Sequence, residues 1–188
     1  PEMIVDSPSN QYVTIRSVGS TEIEKVYVRT DTYLEGKSSG DYGYQFIQVD
    51  GEDGTQLDLA GNIHEVITLT PKSKINVGSG TVEKMTIDEQ AVGSTVRIDQ
   101  GAVVEELNLD TATTVSGKGD IGTVNINAPG CVIEMLPDII NIRPGITANV
   151  DGTIMDNTLA QQMSDKPRIL SGYPRMDDIA PNQATASF

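Results

Sequence analysis

Val82-Glu83-Lys84-Met85-Thr86-Ile87-Asp88 and Val104-Glu105-Glu106-Leu107-Asn108-Leu109-Asp110 carry one seven-residue pattern twice, 22 residues apart by their numbering. Self-similarity at such a period is the sequence signature of a repeat architecture. Each copy reads apolar, polar, polar, apolar, polar, apolar. The last three residues alternate as a strand does, and the first apolar residue belongs beyond a corner. Further copies are Ile121-Gly122-Thr123-Val124-Asn125-Ile126-Asn127, Ile63-His64-Glu65-Val66-Ile67-Thr68-Leu69 and Ile23-Glu24-Lys25-Val26-Tyr27-Val28.

A second strand follows within each unit: Lys74-Ile75-Asn76-Val77 then Gly78, Thr95-Val96-Arg97-Ile98 then Gly101, and Thr114-Val115-Ser116 then Gly117. The glycines are expected to supply positive-φ corners. Units of about 17 to 22 residues with two or three short strands and Gly or Asn corners are what a parallel β-helix requires, because each coil pairs with its equivalent in the next. The reading is therefore all-β: a single-stranded, right-handed parallel β-helix of about five coils, roughly 24 Å tall, with a short C-terminal helix or cap and an extended tail. The hand follows from the preference of parallel crossovers, the height from a strand spacing of about 4.8 Å. In this register Thr70, Asp88, Asp110 and Asn127 would share one corner, the two aspartates either facing water or sharing a cation.

Composition agrees. Nineteen Ile, 17 Val and 18 Thr stand against 9 Leu, and branching at Cβ suits pleated strands. Eighteen Gly and 9 Pro interrupt the chain often enough to keep the strands short. The chain is long enough for one domain with a real core.

The expected boundaries are a lead-in or cap strand over residues 1–20, the β-helix over 21–155, a C-terminal cap over 156–170, and over 171–188 a linker with the first strand of a truncated following domain. Residues 33–59, rich in Gly and holding Tyr33, Tyr42, Tyr44 and Phe46, are expected as an excursion from the first coils. Asp156 would cap a short helix whose Leu159 and Met163, four apart, share a face.

With 13 basic against 27 acidic residues the formal charge is −14, which disfavours nucleic acid and anionic lipid. Such a surface attracts cations, and Ca²⁺ is the one it would take, with Asp50, Asp53, Asp88 and Asp110 as candidate ligands. No stretch approaches the roughly 20 apolar residues that cross a bilayer.

Evidence for catalysis is thin. His64 is the single histidine and Cys131 the single cysteine, too few for a zinc cluster or a Cys-His nucleophile. His64 reads as a strand-surface or corner residue and Cys131 as a small buried filler. Parallel β-helices include polysaccharide lyases and hydrolases, which use clustered carboxylates. Asp50, Glu52 and Asp53 could supply them, but a Gly-rich acidic turn is usually only a turn. Asp177 and Asp178, adjacent in extended chain, point apart. Sugar-stacking grooves need aromatic rings, and this chain has no Trp and 4% aromatic residues. A third reading is adhesion to glycan or protein through the Tyr33–Phe46 rings.

The run from Val104 to Gly130 resembles segments of Gram-positive S-layer and S-layer-homology-domain proteins, in its V-x-x-L-x-L and T-V-x-G-x-G-x-I elements. The coil-like stretch Ile139-Ile140-Asn141-Ile142-Arg143-Pro144-Gly145-Ile146-Thr147-Ala148-Asn149-Val150-Asp151-Gly152 and the boundary Ser171-Gly172-Tyr173-Pro174 resemble theirs as well. The resemblance covers roughly residues 80–155. It implies an extracellular, wall-associated structural module, acting as spacer or lattice element. Its partners would be copies of itself, neighbouring domains of the same surface protein, or cell-wall glycan.

Overall fold

The computed structural model describes residues 1–7, 11–17, 22–36 and 42–164. Two parallel ladders run the length of the molecule. The front sheet stacks β1 (Glu2–Val5), β3 (Ile23–Val28), β5 (Tyr44–Val49), β7 (Ile63–Thr68), the second half of β8 (Lys74–Ile87), β10 (Ala102–Leu109), β12 (Asp120–Ile126) and β14 (Ile139–Ile142). The back sheet stacks β2 (Val13–Arg16), β4 (Thr32–Glu35), β6 (Gln56–Ala60), the first half of β8, β9 (Thr95–Ile98), β11 (Thr114–Gly117), β13 (Val132–Ile133) and β15 (Ala148–Val150). The chain alternates between them, one strand of each per coil, for about seven turns.

The seven-residue motif is the front strand with its leading corner. Val82, Met85 and Ile87 are fully buried and pair in register with Val104, Leu107 and Leu109, which pair in turn with Ile121, Val124 and Ile126. The ladder passes from Val82↔Val104 to Lys84↔Glu106, leaving Glu83 and Glu105 outside it at the corner. Two consecutive outward residues thus mark the bend, and the inward set forms one continuous core. Every rung carries its own apolar side chains into it, each contributing roughly 1.5–3 kcal/mol of burial.

A second inward column was not anticipated. At the entrance to the back strands Thr30, Thr55, Ser73, Ser94, Thr113 and Cys131 are buried on successive rungs. Their side chains satisfy the turn backbone: Ser94 Oγ accepts the Ser73 amide at 3.0 Å, Ser73 Oγ donates to the Thr70 carbonyl at 2.7 Å, and Cys131 Sγ lies 3.4 Å from the Thr111 carbonyl. A buried backbone group must find a partner, and a short hydroxyl reaches it without breaking the column. Cys131 is the thiol member of that series.

Several expectations are corrected. The coil count is about seven rather than five, because residues 1–20 and 33–59 contribute rungs. Segment 1–20 holds β1 and β2, which pair with β3 and β4. Segment 33–59 holds most of β4 together with β5 and β6, all in the ladders, so what lay hidden there was a further motif copy, Tyr44-Gln45-Phe46-Ile47-Gln48-Val49. The corner column runs Arg29, Asp50, Leu69, Asp88, Asp110, Asn127, Arg143, because each amide donates one rung back, as Asp88 does to Thr68; Leu69, not Thr70, is its member. The positive-φ corner inside β8 is Gly80 (φ 82°) rather than Gly78; a Cβ there would come within 2.3 Å of the Gly61 carbonyl oxygen.

At the C-terminal end the strand direction reverses. β16 (Thr153–Met155) pairs antiparallel with β15, and α1 (Asn157–Ser164) follows. Asp156 Oδ1 accepts the Leu159 amide at 2.9 Å as its cap, Ala160 is buried, and Leu159 and Met163 pack on the core. Ser164 Oγ accepts the edge amide of Ile140 at 3.1 Å. Residues 165–188, including Asp177, Asp178 and the expected tail, lie outside the described residues.

Candidate functional site

The outer face of the back sheet carries a row of polar and aromatic groups. Alternation sends Thr14, Tyr33, Asp58, Asn76, Arg97 and Ser116 outward in register on consecutive rungs. Asp58 is the hub. One carboxylate oxygen accepts from the Tyr12 hydroxyl and from Gln56 Nε2 (2.8 Å), the other from Asn76 Nδ2. Burial first, then the bond to Asp58, push the Tyr12 phenol well above its ordinary range, so it stays a donor. Farther along, Arg97 Nε pairs with Asp99 at 2.8 Å beside a broad depression of about 820 Å³ bordered also by Gln100, Ser116, Lys118 and Glu134.

This is a row rather than a convergent centre. Asp58 and Arg97 are two rungs apart, about 10 Å at the strand spacing. What the row can do is present rings and amides along a line, and Tyr12 is half exposed.

A second cluster stands on the corner of the front sheet. Glu83 accepts from the Tyr42 hydroxyl and lies 2.8 Å from His64 Nδ1, and the Tyr42 and His64 rings are 5.1 Å apart. The hydrogen bonds from Tyr42 and then His64 hold the Glu83 carboxyl below its usual range. His64 is thus a corner residue with a partner, oriented by a carboxylate.

Of the four aspartates considered for calcium, Asp88 and Asp110 stand on adjacent rungs of the corner column, Asp50 stands two rungs before Asp88, and Asp53 lies in the turn after Asp50. Asp53 accepts from Lys72 Nζ at 3.2 Å. Asp88 Oδ1 accepts its own turn amide from Gln90 at 3.0 Å, and Asp110 Oδ1 accepts Asn127 Nδ2 at 2.7 Å. Asp50 Oδ1 is buried; Arg29 Nε lies 3.5 Å away as an ion pair, without hydrogen-bond geometry. Asp53 and Glu52 border a cleft of about 170 Å³ with Arg29, Thr30 and Asp31. Among the described residues no three His, Cys, Asp or Glu side chains converge to hold a metal ion. The charge excess made these residues visible in the sequence, but not their partners. Tyr12, Asp58 and Asn76 went unnoticed because only the register brings them together.

Among the described residues no helix is long and apolar enough to cross a membrane. No family model matches the sequence, and no curated protein does. Among solved structures the chain is similar to chitinase ChiW from Paenibacillus sp. str. FPU-7, a bacterial cell-surface-expressed multi-modular enzyme machinery. The TM-score is 0.69 at 21% identity, over 79% of this chain and 14% of that one. The likeness establishes the β-solenoid fold, and the chain spans a small fraction of the length of the protein it matches.

Proposed function

We propose that this chain is a non-enzymatic β-solenoid module of a bacterial cell-surface protein of the S-layer type, coiled with the right hand of parallel crossovers and acting as a rigid spacer or lattice element. The observation that carries the reading is the pair of unbroken parallel ladders, whose outward side chains bond chiefly to one another. Asn141 donates to Asn125 and Asn125 to Asn108, each at 2.8 Å, along the front sheet. Such a surface spans distance and needs no cofactor. The similarity to a segment of a multi-modular surface protein supports an extracellular setting beside other domains.

The second reading is a carbohydrate-binding or polysaccharide-degrading β-helix. It is favoured by the Tyr12–Asp58–Asn76 row and by the fact that the similar structure is a chitinase. Incubating the chain with purified peptidoglycan, chitin and pectic polymers separates the two. The spacer reading expects no release of reducing ends or unsaturated sugars and no co-sedimentation with the polymers. Product release would replace it with the enzymatic reading, and co-sedimentation alone with a glycan-binding one.

A further inference from the structure

The outer face of the front sheet carries two straight rows of side chains, and their order along the stack is unusual. The first row reads Glu2, Lys25, Phe46, Glu65, Lys84 on five consecutive rungs. About Phe46 its charges are antisymmetric: one rung away lie Lys25 on one side and Glu65 on the other, two rungs away Glu2 and Lys84. The second row, beside it, reads Ile4, Tyr27, Gln48, Ile67, Thr86. Ile4 is 60% exposed, and Tyr27, Phe46 and Ile67 are each partly exposed. A flat strip of apolar and aromatic groups therefore lies open between charges of alternating sign.

We infer that this face is the contact surface for a second copy of the chain, packed front sheet to front sheet about a two-fold axis that runs parallel to the strands at the Phe46 rung. This deepens the lattice-element reading above by naming the partner and the face.

Such an axis keeps strand direction and reverses the order of rungs, so each row faces its own reverse. Phe46 meets the partner copy's Phe46. Lys25 meets the Glu65 position and Glu2 the Lys84 position, each twice by symmetry. In the second row Tyr27 meets Ile67, Gln48 meets itself, and Ile4 meets Thr86. Within each copy Lys25 lies 3.7 Å from Glu2, and Lys84 Nζ lies 3.1 Å from Glu65. Stacking one pair on the other closes a square of alternating charge on either side of the phenylalanines. At the corner of the same rungs, Glu24 comes opposite His64. Aligned sheet packing at about 10 Å is the ordinary geometry for two such faces.

The arrangement opposes a general tendency. Two copies of a chain with formal charge −14 repel, yet this strip holds two lysines against two glutamates in the order that self-pairing needs. Five rungs by six residues give a footprint of roughly 20 by 20 Å, below the ~800 Å² per partner of a standard stable interface. The contact is accordingly a weak one, of the kind that operates when many copies are held at high density.

Sedimentation velocity of the full chain, from micromolar to millimolar concentration at fixed ionic strength, tests it with three variants checked for fold by circular dichroism. Wild type is expected to show a concentration-dependent monomer–dimer equilibrium. Lys25→Glu sets like charges opposite each other twice and is expected to weaken it at least tenfold. Lys118→Glu, the same charge change on an exposed turn, is expected to leave it within twofold. K25E/E65K, which restores opposite pairs at the wild-type net charge, is expected to recover it. A wild-type chain that stays monomeric throughout overturns the proposal while leaving the spacer role standing. A dimer that responds equally to Lys25→Glu and Lys118→Glu, or is not recovered by the swap, also overturns it by placing the contact elsewhere.

Discussion

Replacing Gly117 by Ala, with Gly101→Ala as its control, measures how closely successive coils approach. Gly117 has φ 118° and Gly101 φ 85°. A side chain at either site is strained, at about 1–3 kcal/mol for a conformation that L residues rarely adopt. The surroundings separate them. A Cβ on Gly101 would find nothing within 4 Å, whereas one on Gly117 would lie 1.9 Å from the Ile98 carbonyl oxygen. That oxygen also accepts the amides of Lys118 and Gly119, at 2.9 and 3.0 Å. Moving it weakens two hydrogen bonds of about 1 kcal/mol each. Gly101→Ala should therefore cost about 1–2 kcal/mol and Gly117→Ala about 3–5. Urea unfolding followed by circular dichroism gives the difference, and amide exchange should show loss of protection confined to β9 and β11, since each coil touches only its neighbours. Costs within 1 kcal/mol of each other would refute the close-approach argument, because they would mean that backbone strain alone governs both sites.

Three further outcomes are expected. Ser94→Ala removes the acceptor of the buried Ser73 amide and should destabilise by about 1–3 kcal/mol, while Cys131→Ser, which returns a hydroxyl to its column, should stay within about 1 kcal/mol; both are read by urea unfolding. Tyr42→Phe removes the main bond that lowers the Glu83 carboxyl, so its titration by carbon NMR should move up. In the wild type that pair adds stability above the ordinary carboxylate range and loses it as pH falls through the lowered value, and an unchanged Glu83 titration in the variant would disprove the assignment. Burial, then Glu35, push the Tyr44 phenol up to about 12. Its contribution to stability is complete below the ordinary value near 10 and disappears as pH rises through 12, so ultraviolet titration of the native chain should show Tyr44 ionising late; titration near pH 10 would contradict its burial.

The fold was legible wherever the inward residues were aliphatic. Val82, Val104 and Ile121 announce their rungs because three apolar residues at fixed offsets must share one interior. The Tyr44 copy escaped notice since an aromatic residue led it and glycines preceded it, a combination that reads as loop. Coil number was underestimated for that reason. The Thr and Ser residues at the back-strand entrances carry no periodic signal in the sequence, and their burial depends on stacking that no single coil reveals. The front-face charge order was invisible for a related reason. Lys25 and Glu65 are far apart along the chain, and nothing local says that both point outward two rungs from each other.

The capped C-terminal end and the axial stack have a mechanical consequence. Tension applied through the two ends of this solenoid runs along its axis and pulls each rung directly away from the next, loading hydrogen bonds one coil at a time instead of shearing a sheet at once. The coil between Val82 and Val104 occupies one rung of about 4.8 Å while folded. Released, its 22 residues extend to roughly 75 Å. The molecule is then a stiff strut at low load and an extensible tether at high load.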